Sequence, residues 1–256
     1  MALILAIVNQ KGGVGKTTTS VNLSAYLALK GKKTLLMDVD PQGNTTSGIG
    51  IDKNTLDKTI YDVLINGEDI GETIIKTGRK NLFICPANID LAGAEIEMVS
   101  LFSRETILKR ALQQINADYD FIIMDCPPSL GLLTINALTA ANGVVVPIQS
   151  EYYALEGLSQ LMSTVNIVKK HLNPSLEIFG VVVTMFDSRT QLSHQVAAEV
   201  KKYFGEKLFK AIIPRNVRLS EAPSHGLSIN EYDSRSKGAD SYEFLAKEVM
   251  KRASRT

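Results

Sequence analysis

The sequence predicts an α/β fold, a mostly parallel twisted sheet with helices on both faces. Three observations carry this. Short apolar runs alternate with longer amphipathic ones along the whole chain. The short runs are continuously apolar rather than alternating, which means strands covered on both faces. The 256 residues, 45% hydrophobic and 21% charged, contain no linker, repeat or second composition regime, so one domain with one large core is expected over 1–256.

The elements follow in order. Residues 3–8 read as a buried first strand: no basic residue precedes them and no small-residue cleavage site follows, unlike a signal peptide. Residues 17–29 are helical in pattern and lead to a strand at 34–37, which Pro41 turns out of the sheet. Residues 82–85 give the next strand, 104–115 an amphipathic helix, and 121–125 four apolar residues closed by an acid. Residues 126–150 carry no charge and have the length of a membrane span. However, Pro127, Pro128, Asn136, Asn142, Gly143, Pro147 and Gln149 divide them into a turn, a helix at 132–140 and a Val-rich strand at 143–148. Helices at 155–171, 192–204 and 239–250 then alternate with strands at 179–184 and 208–213.

Composition removes several classes. Eighteen Gly and eight Pro are ordinary usage, so a disordered or collagenous chain is excluded. Cys85 and Cys126 lie far apart and match no paired metal-ligand spacing, which argues against a disulfide framework or a zinc site and for a reducing compartment. Both are expected to be buried apolar residues. His171, His194 and His225 are likewise scattered. The net charge of +1 predicts no polyanion partner by itself, but it is unevenly spread. Residues 1–188 hold 15 Lys/Arg against 19 Asp/Glu, a balance of −4, and residues 189–256 hold 13 against 8, a balance of +5. A basic C-terminal third is permissive for nucleic acid, although solvated helix faces explain most such biases.

In a parallel sheet, ligands bind beyond the carboxyl ends of the strands. After the first strand comes Asn9-Gln10-Lys11-Gly12-Gly13-Val14-Gly15-Lys16-Thr17-Thr18, running directly into a helical pattern. Strand, glycine-rich turn, Lys-Thr and helix is the arrangement in which backbone N–H groups cradle phosphates. Here Lys16 can bridge the β- and γ-phosphates, and the Thr17 hydroxyl can ligate Mg2+. Met37-Asp38-Val39-Asp40-Pro41 ends the second strand, where alternation places Asp38 and Asp40 on one side, beside the loop. Asp125, closing the apolar strand 121–125, is placed to hold Mg2+ through a water. The 179–184 strand runs on into Thr184-Met185-Phe186-Asp187, where a guanine reader would carry N-K-x-D, so GTP is disfavoured.

The usual phosphate loop asks for Gly at the position of Gln10, and this sequence instead adds Lys11. In that feature, K-G-G-V-G-K-T-T resembles the deviant phosphate loop of the partitioning, division-site and nitrogenase-reductase ATPases. D-V-D-P-Q-G-N-T-T-S-G-I-G, D-C-P-P-S-L-G-L-L-T-I-N-A-L, E-Y-Y-A-L-E-G-L-S-Q-L and P-R-N-V-R-L-S-E-A-P-S-H-G narrow the resemblance. Nearly end to end, the chain is similar to the ParA/Soj chromosome- and plasmid-partitioning ATPases.

The resemblance implies a weak ATPase that uses ATP and Mg2+, and an ATP-dependent sandwich homodimer in which Lys11 reaches the partner's phosphates. Asp40 would position the attacking water, with Asp38 in support, and Cys126-Pro127-Pro128-Ser129 would be a switch loop sensing the γ-phosphate. Pro214 and Asn216 would contact adenine, Asn216 also serving as a helix cap. Arg189 and Arg218 would contact non-specific double-stranded DNA; for each, a surface salt bridge is the plain alternative. A ParB/Spo0J-type centromere-binding partner would stimulate hydrolysis and release, in a cytoplasmic protein associated with the nucleoid when ATP-bound. The rival is a membrane-cycling ATPase of the MinD kind, which needs an amphipathic C-terminal helix. The tail, with Leu245, Val249 and Met250 as its apolar residues, reads better as a helix finishing against the core. A metal-cluster reductase fails on the placement of the cysteines.

Overall fold

The computed structural model describes residues 1–151 and 158–255. Its centre is an eight-stranded sheet formed by β1 (Leu3–Ile7), β2 (Thr34–Asp38), β3 (Ile75–Lys76), β4 (Leu82–Cys85), β5 (Phe121–Asp125), β6 (Gly143–Gln149), β7 (Glu177–Phe186) and β8 (Leu208–Pro214). The strand order is β3-β4-β2-β5-β1-β6-β7-β8. All neighbours are parallel except the two-residue β3, which pairs antiparallel with β4 at the edge.

Alternate strand residues feed two cores. Ile4 and Ala6 of β1, and Ile122 and Met124 of β5, face α4 (Leu91–Glu97), α5 (Ile107–Ile115), α6 (Leu132–Ala140), α7 (Leu158–His171) and α8 (Gln191–Phe204). Leu5 and Ile7, with Phe121 and Ile123, face α1 (Lys16–Leu29) and α11 (Lys237–Ala253). This two-sided cover is why the strands read as continuously apolar. Shorter helices α2 (Asn44–Gly48), α3 (Ile70–Thr73), α9 (Val217–Glu221) and α10 (Ile229–Tyr232) sit in the connections.

Helix ends follow local chemistry. Ser236 caps α11 by accepting from the Ala239 N–H; Asp240 stands in its first turn and Lys251 and Arg252 in its last, matching the helix dipole. Leu245 and Val249 are fully buried, so α11 ends against the core as its sequence suggests.

The structure departs from the sequence reading in a few places. The helix expected at 104–115 opens with a 3-10 turn at Arg104–Thr106, and α begins only at Ile107. Residues 155–157 of the helix expected at 155–171, and part of the E-Y-Y-A-L-E-G segment, lie outside the described residues. The elements α4 and β3 carry no clear signal in the sequence.

Candidate nucleotide-binding site

The loop from Asn9 to Gly15 leaves the carboxyl end of β1 and opens α1, held by the strands on one side. Asn9 Nδ2 donates to the Pro147 carbonyl at 2.7 Å, and Asn9 Oδ1 accepts from the Lys11 N–H at 3.0 Å. Thr184 Oγ1 donates to the Val14 carbonyl at 2.8 Å, fixing the loop to β7. Gly13 and Gly15 have φ of 73° and 88°, left-handed values that favour glycine. A Cβ at Gly12 or Gly13 would meet nothing within 4 Å, whereas at Gly15 it would touch Thr184. Gly12 and Gly13 thus border open space over the N-terminus of α1, whose first turn has no side-chain cap.

Lys16, only 7% exposed, points its ammonium back over this loop and donates to the Lys11 carbonyl at 3.2 Å. Burial lowers its pKa, and the charges of Asp125 and Asp40 act against that. A buried cation hydrogen-bonded to a backbone carbonyl and facing a glycine cradle fits an anion such as a phosphate.

Asp125 closes β5 under the same loop. Its Oδ2 accepts from Thr17 Oγ1 and Thr45 Oγ1, both at 2.7 Å, and its Oδ1 from Ser20 Oγ at 3.0 Å. Burial pushes this carboxyl up while the three hydroxyls hold it down. Thr17 and Asp125, expected from their separate motifs to share Mg2+, are therefore brought into contact. Thr45, Ser20 and Asn9 escaped the sequence reading, because hydroxyls and amides carry no motif until the fold brings them together.

The two acids at the end of β2 have different environments. The strand ends at Asp38, and Val39 still enters the same core as Met37. Asp38 is completely buried and accepts from the Thr46 N–H at 2.8 Å, Thr46 Oγ1 at 2.7 Å and the Asp40 N–H at 3.2 Å. Burial, and then its strand neighbour Asp125, push its carboxyl up to about 8. Asp38 is thus a buried brace for the Thr46 turn. Asp40 stands at the rim, its Oδ1 accepting from the Gln42 N–H at 2.9 Å, close enough for its charge to act on Lys16 and Asp125.

Pro214 ends β8 opposite Phe186 of β7, and the Arg215 N–H donates to the Phe186 carbonyl at 3.0 Å. This places Pro214 and Asn216 three strand positions from β1, about 14 Å at ordinary strand spacing. Asn216 caps α9, its Oδ1 accepting from the Arg218 N–H at 2.8 Å. Between them and the loop, Met185 has a φ of 51°, a rare conformation for such a side chain, and its carbonyl accepts from Ser150 Oγ at 3.1 Å. At the open rim, Lys11 Nζ lies 3.3 Å from Glu151 Oε2, and Arg215 reaches the other oxygen at 3.7 Å.

Arg189 and Arg218 follow the ends of the adjacent strands β7 and β8. Arg189 pairs bidentately with Asp187, at 2.9 and 2.7 Å, and holds that carboxyl well below the usual range. Arg218 pairs with Glu221 at 2.9 Å and Asp233 at 3.5 Å. The surface salt bridges are therefore present, on side chains that remain exposed.

A phosphate cradle above parallel strands, with a buried lysine and a Thr–Asp pair for a divalent cation, defines the phosphate-loop nucleotide-binding class. Residues 2–178 match the family model described as AAA domain. The chain is 62% identical to the sporulation initiation inhibitor protein Soj of Bacillus subtilis, covering 97% of this chain and 98% of that one. It is 54% identical to the chromosome partitioning protein ParA of Myxococcus xanthus, over 97% of this chain and 88% of that protein. Among solved structures, cobyrinic acid a,c-diamide synthase from Mycobacterium smegmatis, with bound ATP analog and magnesium, superimposes with a TM-score of 0.87 at 37% identity, covering 98% of this chain and 95% of that one. The chain belongs to the ParA/Soj family of chromosome-partitioning ATPases.

Proposed function

We propose that this chain is an ATP-operated DNA carrier: bound to ATP and Mg2+, it pairs into a sandwich dimer, grips DNA without sequence preference, and lets go on hydrolysis. The observation that carries this reading is Lys11. It stands at the open rim of the cradle on an ion pair whose partners are 39% and 46% exposed, a contact worth little in water, so its ammonium is free to move to a second protomer's phosphates.

Each residue then has a task. The amides of Gly12 to Thr18 and the Lys16 ammonium would hold the phosphates, and Thr17, with Asp125 through a water, would hold the cation. Asp40 orients the attacking water, and Pro214 and Asn216 border the adenine. Mg2+ supplies neutralisation of the β- and γ-phosphate charge. Positioning by one protomer alone is incomplete, so intrinsic turnover is slow, and a ParB/Spo0J-type centromere-binding partner accelerates it, as in-trans activation does in other phosphate-loop enzymes. DNA is met by Arg189 and Arg218, and the ATP-bound form resides on the nucleoid.

Among the described residues, no helix is long and apolar enough to cross a membrane. The apolar residues Leu245 and Val249 of α11 are buried in the core, which favours the DNA reading over a membrane-cycling one.

Sedimentation with a non-hydrolysable ATP analogue tests the sandwich. Wild type should sediment as a dimer, Lys11→Ala as a monomer that still binds nucleotide, and Lys16→Ala should not bind productively. A Lys11→Ala protein that dimerises normally would contradict the role given to Lys11.

A further inference from the structure

From Ile89 to Ser100 the chain winds through turns, α4 and a 3-10 turn. Three turns lead in, Leu91 N–H to Asn88 carbonyl, Ala92 to Ile89 and Gly93 to Asp90, and a 3-10 turn at Met98–Ser100 follows α4. One face is core: Leu91, Ala94 and Met98 are completely buried. The opposite face is apolar too, with Ile89, Ala92, Ile96 and Val99 at helical spacing. There Ile89 is 67% exposed, Ile96 79% and Val99 58%, and Phe102 just beyond is 97% exposed. Single exposed apolar side chains are ordinary, but a continuous stripe on one helix is the mark of an interaction surface.

Charge selects the occupant. Asp90 and Glu97 border the stripe on one side and Glu95 on the other. Asp90 accepts from Asn88 Nδ2 and Glu97 from the Tyr61 hydroxyl, and none of the three acids has an ion-pair partner among the described residues. The nearby Arg104 is engaged by Glu105 and the Val99 carbonyl. A two-fold contact between copies through this face would set acid against acid, whereas a basic partner would neutralise both borders.

The stripe is also wired to the site. Glu95 Oε1 accepts from the Leu133 N–H at 3.5 Å, and a Cβ at Gly131 would collide with the same carboxylate. Gly131 ends the loop that starts at Cys126, directly after Asp125.

We propose that the exposed face of α4 docks a segment of another protein carrying apolar side chains at helical spacing and lysine or arginine beside them. Docking there bears through Glu95, a positioning residue, on the loop after Asp125 and so raises hydrolysis. This rests on the reading that a partner stimulates turnover.

The test measures ATP turnover of the full chain on DNA, and binding of the fluorescently labelled, purified centromere-binding partner, in wild type, Ile96→Asp, Phe102→Asp, Glu97→Lys and Ile96→Leu. The first three variants should bind the partner about tenfold or more weakly, the size of an interface hot spot. Their unstimulated turnover, ATP-dependent sedimentation and melting temperature should be unchanged, and Ile96→Leu should behave as wild type. Glu95→Ala, which also removes one acidic border, should bind the partner more weakly and still reach a lower kcat when the partner is saturating, a loss that weaker docking alone would not give. Asp-substituted variants that are bound and stimulated like wild type, or that lose ATP-dependent dimerisation, would overturn the docking surface. A wild-type protein that the partner does not stimulate would instead remove the functional reading beneath it.

Discussion

Asp38 and Asp40 lie two residues apart and have opposite environments. Asp40, at the rim, is the proposed water-orienting group. Asp40→Ala should bind ATP with affinity near wild type and lose about 10²-fold or more in turnover, read by equilibrium binding and single-turnover hydrolysis. Loss of binding in the folded variant would contradict that role. Asp38 is a brace whose carboxyl is held up at about 8 by burial. Asp38→Ala strands the Thr46 N–H and hydroxyl and should cost about 1–3 kcal/mol in urea unfolding, whereas Asp38→Asn should cost less. The sign of the pH dependence follows from the raised value. Stability from this group is complete below its unfolded pKa of about 4 and is lost progressively as pH rises to about 8. The stability difference should therefore move in favour of Asp38→Asn between pH 6 and pH 9, and a constant difference would show that Asp38 is already ionised. The phosphate loop was legible in the sequence because its parts are neighbours in the chain. Thr46, Thr45 and Ser20 were not, since each acquires its role from a carboxylate on another element: Ser20 and Asp125 are 105 residues apart.

Among the elements, strands were read well because burial on both faces leaves an uninterrupted apolar run, as in Phe121–Asp125. α5 was legible for the complementary reason, with Leu108, Leu112 and Ile115 on one buried face. α4 was not, because a helix apolar on two opposite faces has no single amphipathic period. β3, two residues long, offers too little pattern to find. α11 carries a direct test of its docking against the sheet. Leu245 is completely buried, so Leu245→Ala should destabilise the protein by about 2–5 kcal/mol in chemical denaturation. A destabilisation below about 1 kcal/mol would mean that the helix is not held as described and is available as a membrane-seeking tail.

For the whole molecule, a net charge of +1 gives a protomer little field with which to hold DNA. Arg189 is paired with Asp187 and Arg218 with Glu221, so each local basic surface is already partly neutralised. In the proposed mechanism, affinity comes from bringing two such surfaces onto one duplex by dimerisation on ATP. The dependence of DNA binding on ATP is read from the affinity of unrelated duplexes across a salt series, in ATP and in ADP, for wild type, Arg189→Glu and Arg218→Glu. Binding is expected in ATP alone, equal for all sequences and falling steeply with salt, and the log–log slope should drop by about one for each phosphate that a variant no longer neutralises. The charge-reversed variants should bind weakly yet still dimerise on ATP. Equal affinity in ATP and ADP, or undiminished binding by both variants, would contradict the carrier mechanism.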